Sequence, residues 1–460
     1  MRKRWRRSGS ALVAVVLLLL LAIAVVPPAF AAHGASGSQA FTWRYAGATG
    51  QATMRDVVPA PDGALYAVGS TSSNGGSDAD VLVARFEGGR TPVWTKTWDN
   101  GVGGAYSWAA TTDRSSNIVV VGMTATQSAG DDWVVLKYSP SGELLWKATL
   151  GGDYASADYV NAVACDRRGN VLAAGSLLDA QDNHCFAVVK FGAADGHVVW
   201  KYVEDGLDPA WHDDKAQDVV VDAAGNAYAT GVSYNADHTL HRCLTVKLTA
   251  SGGVAWRKLI APKGLDRYGY YLARVGTSLY VQMYGNQSAE KAPLLLAKYT
   301  TAGARSWVRA VSLKGVSQVY PYAVAANKTG LAVVADADEG SGVIAKLTPA
   351  GKLAWAHVYR RSETRVSRTF HSLCMDADGR VWAAGQALIP GVPYPQGDWL
   401  LQKFKATGRT VWAKTLGGLE GGYDELESVV LTGTSGLWVA GDIAHADNAV
   451  KDPAVGKYRR

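Results

Sequence analysis

The chain has 460 residues, with 46 basic and 40 acidic side chains, a formal net charge of +6, 16 tryptophans and four cysteines. Five of the basic residues fall in the first seven positions, so the rest of the chain carries 41 basic residues against 40 acidic, a net charge near +1. That balance excludes electrostatic capture of nucleic acid or of an anionic membrane.

The N-terminal MRKRWRRSGS is followed by an unbroken apolar run over residues 11–26, then Pro27, Pro28 and the small-x-small triplet Ala29-Phe30-Ala31. This is the pattern of an export signal cleaved after Ala31, giving a signal peptide at 1–31 and one further domain at 32–460. Retention as an anchor is the alternative, although 16 apolar residues are short for a span of about 20. Arg6-Arg7 lacks the hydrophobic neighbours of a twin-arginine signal, which leaves the general secretory route. The mature protein is expected to be secreted or extracytoplasmic and to make no membrane contact unless the anchor is kept.

Past the signal comes an orphan strand, QAFTWRY, and then a repeat. Trp43, Trp94, Trp146, Trp200, Trp256, Trp307, Trp355 and Trp412 recur at steps of 51, 52, 54, 56, 51, 48 and 57 residues. A second column, Arg85, Lys137, Lys190, Lys247, Lys298, Lys346, Lys403 and Lys457, keeps the same register, each followed by Phe, Tyr or Leu. In residues 161–200, NAVAC, VLAAG, CFAVVKF and VVW read as strands, separated by the turn DRRGN, the polar loop SLLDAQDNH and the turn GAADGH. Short apolar strands between glycine-containing turns, without a helical period, are an all-β pattern. Four antiparallel strands in a repeat of about 50 residues make a propeller blade.

The last repeat stops after three strands, near SVVL, LWVAG and AVGKY, without its Trp strand. The orphan QAFTWRY supplies it, pairing beside residues 454–458 and covering an exposed edge. The prediction is therefore a single β-propeller of eight four-stranded blades closed by an N-terminal strand, or of seven if the divergent fifth unit, YYLARVGTSLYVQMYG, fails to form one. Gly142, Gly196, Gly252, Gly303, Gly351 and Gly408 each stand four residues before a repeat Trp, so each opens a hairpin whose outer strand carries the indole at a fixed height. Such a ring would wedge between blades with its N–H near main-chain carbonyls, worth about 3–5 kcal/mol against Ala. Eight identical strand positions are too regular for a carbohydrate platform. The lysine column is read likewise, its stem covering apolar surface rather than a ring of charge binding polyanions.

The GxxxW units resemble the tryptophan-docking motifs of quinoprotein-type propellers, and GNVLAAGS and GDDWVVLKYSPSGELLWKATLGG resemble the bacterial β-propeller repeat called SBBP, over essentially the whole mature chain. The resemblance implies the fold and leaves activity open. Quinoprotein dehydrogenases hold pyrroloquinoline quinone beneath a disulfide of adjacent cysteines, with a calcium ion nearby. This chain has no Cys-Cys pair, so no cofactor is expected.

Local chemistry is sparse. Cys165, Cys185, Cys243 and Cys374 lack close CxxC spacing; they read as small buried thiols, with a disulfide between Cys185 and Cys243, placed on neighbouring strands, as the alternative. His238-Thr-Leu-His241-Arg-Cys243 has zinc-ligand residue types but wants a fourth ligand. The acidic run EDGLDPAWHDDKAQD at 204–218 lacks the alternation of a calcium loop, and DADGR at 376–380 reads as a hairpin turn. The long, dissimilar connections all emerge on one face, where function usually lives. Just before the first strands stand Tyr106, Tyr159, Tyr270, Tyr320, Phe370 and Tyr423, a candidate rim for stacking sugars or partner side chains, with packing between blades as the alternative. The face is acidic around residues 204–214 and basic at Arg360, Arg361, Arg365 and Arg368. The expected function is a monomeric, non-catalytic binding or scaffold module for an extracellular protein, glycan or cell-wall component. The alternative is a saccharide-active hydrolase or lyase, which an inward-facing pair of carboxylates would favour.

Overall fold

The short turns set the frame. In Asp113–Asn117, Asp166–Asn170 and Asp222–Asn226 the Asp Oδ1 accepts the backbone N–H groups two and four residues on, and its Oδ2 accepts the Asn side-chain amide at 2.8 Å. Each side chain thus closes its own hairpin. Asp376 does the same with Asp378 and Arg380, so DADGR is a hairpin turn.

The computed structural model describes residues 39–45 and 52–460, apart from 73–78, 127–129, 154–155, 205–212, 235–240, 261–266, 286–293, 338–339, 361–365, 389–396, 418–421, 434–435 and 445–450. The predicted signal peptide lies outside the described residues. The strands, β1–β32 in chain order, form eight four-stranded antiparallel sheets. Blades 1 to 7 each take four consecutive strands, and the divergent fifth unit is a complete blade. Blade 8 has the order β30-β31-β32-β1: β1 (Gln39–Arg44) pairs with β32 (Lys451–Arg459), Trp43 opposite Val455 and Arg44 opposite Ala454. The ring is closed by the N-terminal strand, as the missing Trp strand of the last repeat requires.

The first strands are β2 (Thr53–Pro59), β6 (Ala105–Thr112), β10 (Tyr159–Cys165), β14 (Lys215–Val221), β18 (Tyr268–Val275), β22 (Val319–Asn327), β26 (Ser367–Met375) and β30 (Glu425–Thr432). Each touches the first strand of both neighbouring blades, so these eight surround the central channel. Second and third strands are almost wholly buried; Leu65–Ser72 and Val171–Leu178 are buried at every position.

The two sequence columns are one device. Lys137 pairs across the strands with Trp146, Lys190 with Trp200, Lys247 with Trp256 and Lys298 with Trp307. Both members of each pair donate to one carbonyl in the next blade's outer hairpin: Ala193, Ala250, Thr301 and Pro349, respectively. Arg85 and Trp94 share Pro140 in the same way, and Trp355 donates to Ala406. The glycine of that hairpin seats the indole. At Gly252 φ is +91°, and a Cβ would lie 2.8 Å from Trp200 Cγ; Gly303 stands in the same relation to Trp256. Two members of the column differ. Blade 8 takes its fourth strand from the other end of the chain and so has no outer hairpin, and Trp412, 5% exposed, is left with no partner for its Nε1. Blade 1 has Arg90 where the others have the glycine, and Trp43 instead packs edge-on against Phe86 at 5.4 Å.

Candidate functional site

Every first strand carries a β-bulge at the same height, where two of its residues oppose one on the second strand. In six of the eight blades a glycine stands opposite it, and in blades 5 and 6 Met283 and Ala335 do. Gly69, Gly122, Gly175, Gly231, Gly385 and Gly441 face the residue before the bulge, and a Cβ on any of them would strike the carbonyl oxygen of the residue before that. Glycine admits the close approach and the extra residue re-aims the strand. The inserted residues are Arg55, Trp108, Asn161, Gln217, Tyr270, Tyr322, His371 and Glu427. They and the residues two before them alternate with buried neighbours along most of the strands, so these two tiers face the channel.

This register sorts the predicted aromatic rim. Tyr106, Tyr159 and Tyr320 occupy the outer tier and are 38%, 40% and 46% exposed. Tyr270 is a bulge residue one tier deeper; the outer-tier equivalent in blade 5 is Tyr268. Phe370 is not part of a rim. It sits one residue before its bulge, which turns it between the sheets, and it is fully buried, edge-on to Tyr359 at 5.6 Å. Tyr423 precedes its strand, with the Lys451 ammonium 5.2 Å from its ring centre.

The aromatics gather on one arc, through blades 4 to 6. His241 lies 4.2 Å from Tyr234 and 4.3 Å from Tyr268; Tyr284 lies 5.5 Å from Tyr268 and stacks on Tyr320 at 5.1 Å with 17° between planes. Trp108, 42% exposed, continues the surface in blade 2 beneath the Arg55 guanidinium at 5.0 Å. Trp108, a bulge residue, and Tyr268, two before one, follow a register that sequence spacing does not reveal, and Tyr284 lies on the second strand β19 (Ser278–Tyr284) opposite Tyr268. Gly122 opposite Ser107 was the signal for Trp108, whereas blade 5 has Met283 at that place.

The opposite arc, from blade 6 round to blade 1, is polar. Tyr322 lies 4.9 Å from the His371 ring, His371 Nδ1 lies 3.0 Å from Glu425 Oε1, and Glu427 lies 3.7 Å from Arg55. Burial, then the neighbouring Glu427, pushes the Glu425 carboxyl up to about 7. Burial also raises Asp442 to about 7 against the pull of Lys451, and Asp336 to about 6 beside His371 and the Tyr322 hydroxyl. An inward-facing acidic pair, Glu425 and Glu427, is therefore present. Just below the bulges, Asp56 and Asp218 brace neighbouring blades: Asp218 Oδ2 accepts the Leu272 N–H at 2.7 Å and Asp56 that of Ala110. Both are partly buried, and desolvation raises Asp56 to about 6 and Asp218 to about 7.

A cavity of about 270 Å³ opens at the other end of the channel, between the short turns that carry Asp113, Asp166 and Asp222. Those carboxylates are engaged: Asp113 and Asp166 hold Lys137 and Lys190 at 2.9 Å, and Asp222 accepts from Asn226 and Tyr228. Among the described residues the other motifs assemble no site. Of the zinc-type motif, His238 lies outside the described residues, His241 belongs to the aromatic arc, and Cys243 is buried with its thiol pushed up to about 11 by desolvation. Cys185 and Cys243 lie on the third strands of adjacent blades, β12 (His184–Phe191) and β16 (His241–Leu248), rather than on paired strands, and none of the four cysteines is in a disulfide. In the acidic run, residues 205–212 lie outside the described residues, Glu204 pairs with Arg257, Asp213 pairs with Lys215 at 2.9 Å, and Asp218 is turned inward.

The chain matches no protein-family model and no curated protein. Among solved structures, Sqt1 of Chaetomium thermophilum bound to the N-terminus of ribosomal protein L10 is 10% identical, with a TM-score of 0.54 over 92% of this chain and 100% of that one. Sqt1 alone gives 11% identity and a TM-score of 0.53 over 90% and 97%. Quinohemoprotein alcohol dehydrogenase from Comamonas testosteroni is 12% identical, with a TM-score of 0.49 over 92% of this chain and 76% of that one. At such identities the likeness to Sqt1 is one of fold, and none of these structures speaks for the SBBP repeat in particular. By its sheet topology and that likeness, the chain is an eight-bladed β-propeller.

Proposed function

We propose that the chain is an exported, monomeric, non-catalytic binding propeller whose signal peptide, residues 1–31, is removed, and that it captures a protein or glycan outside the cytoplasm at the loop-rich mouth. The repeat-level likeness to SBBP propellers belongs to this reading. The observation that carries it is the aromatic arc of Tyr268, Tyr284 and Tyr320 with Tyr106, Trp108 and Tyr159 beyond it, large rings held on rigid inner strands. Rings of this kind offer stacking area with a polar edge, which suits sugar faces or partner side chains. The Sqt1 likeness supports it to the extent that Sqt1, a propeller, was crystallised holding a protein N-terminus. Arg55, Glu427 and His371 on the opposite arc would orient a polar ligand. The test is equilibrium binding of the mature protein to purified cell-wall glycans and to surface-protein ectodomains, with product analysis alongside. Saturable binding without turnover is expected; no binding to either class would sink the reading.

A second reading, a saccharide-active hydrolase or lyase, is favoured by one observation, the Glu425–Glu427 pair facing the channel. Carboxylates about 5 Å apart suit retaining glycosidases, and the coordinating atoms of this pair and His371 lie within 4.8 Å of one another. Against it, both carboxylates project from one strand, so they cannot flank a scissile bond from two sides, and Glu427 is beside Arg55. Turnover of any polysaccharide that is lost in Glu425→Gln would establish this reading over the first.

A further inference from the structure

The geometry points to a divalent transition-metal site of the zinc type in the channel wall, formed by His371, Glu425 and Glu427. His371 and Glu427 are the bulge residues of blades 7 and 8, and Glu425 is two before Glu427, so the bulges bring three ligand-type side chains from adjacent strands to one point. One ligand atom from each lies within 4.8 Å of the other two, so a side-chain contraction of about 1 Å brings them to the spacing of about 3.4 Å that tetrahedral bonds of about 2.0–2.2 Å to a central ion require.

A second observation concerns the histidine itself. Its side chain is only 9% exposed, and Nδ1 is aimed at Glu425 Oε1 at 3.0 Å, yet this nitrogen is buried with no hydrogen bond of acceptable geometry to any partner. A buried ring nitrogen left without a bond is destabilising, and two carboxylates side by side repel. A cation between the three relieves both. On the far side of the ring stands Tyr322, its ring centre 4.9 Å away, which packs against the imidazole and limits its rotation. Arg55, 3.7 Å from Glu427, must give way, and its guanidinium is at the same time held over the Trp108 ring, a contact it can keep on leaving Glu427.

The donor set selects the ion. One imidazole and two carboxylates suit zinc and its neighbours, whereas calcium and magnesium take oxygen ligands almost exclusively and in larger number. Three protein ligands leave a coordination position open to water on the channel side.

The test is calorimetric titration of the chelator-stripped mature protein with Zn²⁺ alone at pH 7.5. The expected result is one saturable site and a raised unfolding midpoint. Loss of a mere supporting partner costs metal affinity about 10–100-fold, so Glu427→Gln and His371→Ala should each weaken uptake by at least that much. His197→Ala, which alters an exposed His197–Asp195 contact, should leave it unchanged. Glu427→Gln is nearly isosteric and faces the channel, so it decides the matter if His371→Ala unfolds. No stoichiometric uptake by the wild type, equal uptake by Glu427→Gln, or saturation by Ca²⁺ in preference to Zn²⁺ would each overturn the assignment.

Discussion

Replacing Gly196 by alanine tests the docking device where its parts are best separated. Gly196 sits at φ +72°, and a Cβ there would lie 2.5 Å from Trp146 Cε3, in an indole 7% exposed whose Nε1 donates to Ala193 at 3.0 Å. Two costs add. The left-handed backbone costs an L-residue about 1–2 kcal/mol, and forcing a methyl group against a packed ring costs about 1–3 kcal/mol. Gly196→Ala should therefore destabilise by about 2–5 kcal/mol. Trp146→Ala should cost about 3–5 kcal/mol by removing the ring and its hydrogen bond. In the double variant the methyl group meets no ring, so only the backbone cost remains, and the cycle should show a coupling of about 1–3 kcal/mol. Denaturant unfolding of the four proteins, read by tryptophan fluorescence and far-UV circular dichroism together, measures it. Strict additivity, within about 0.5 kcal/mol, would mean that the glycine is required by its φ alone and that the seat for the indole is not real.

Deleting residues 32–45 removes β1 and leaves β32 with an open edge, so the truncated protein should unfold at a markedly lower temperature; melting within a degree of the parent would contradict closure by that strand. Asp218 is pushed up to about 7 in the fold, above its unfolded value near 4, so its contribution is complete below about pH 4 and is lost as pH rises toward 7. Asp218→Asn should flatten the slope of thermal stability between about pH 4 and 7, and an unchanged slope would refute the burial argument. Asp113, Asp166 and Asp376 are pulled below the usual carboxylate range by hydrogen bonds and by Lys137, Lys190 and Arg460; their contribution is present above about pH 4 and disappears on further acidification, so unfolding below about pH 3 is expected. Phe370→Ala should cost about 3–5 kcal/mol, while Trp108→Ala, at an exposed channel position, should change the unfolding midpoint little; equal effects would overturn the register that separates them.

The architecture was legible because it is written in columns. The Trp and Lys columns recur in one register since in five of the eight pairs both members bond to a single carbonyl of the next blade, as Lys190 and Trp200 do at Ala250, and the short C-terminal repeat pointed to the N-terminal strand. The candidate rim was legible only in part. Tyr106, Tyr159 and Tyr320 share a tier, but Tyr270 and Phe370 fall one or two positions out of step, and in a strand one position exchanges the lumen for the core. The bulge that sets the step has no residue signature of its own, since it carries Arg, Trp, Asn, Gln, Tyr, His and Glu in different blades. In six blades it is matched in the partner strand by the column from Gly69 to Gly441, which reads as ordinary strand glycine until the pairing is known, while blades 5 and 6 have Met283 and Ala335 there. The gathering of His371, Glu425 and Glu427 was hidden for the same reason, two strands of different blades being needed to assemble it.

The central claim, that the loop-rich mouth is the working surface, is tested most directly by one paired binding measurement against the glycan or ectodomain that the mature protein captures. One variant carries Ala at Tyr159, Tyr268 and Tyr320; the other carries Ala at Arg114, Arg167 and Arg274, around the cavity at the opposite end of the channel. Three stacking contacts of about 0.5–1.5 kcal/mol each predict at least a tenfold loss of affinity in the first and wild-type affinity in the second. Full affinity in a folded mouth variant, or loss only in the variant of the opposite end, would contradict the account.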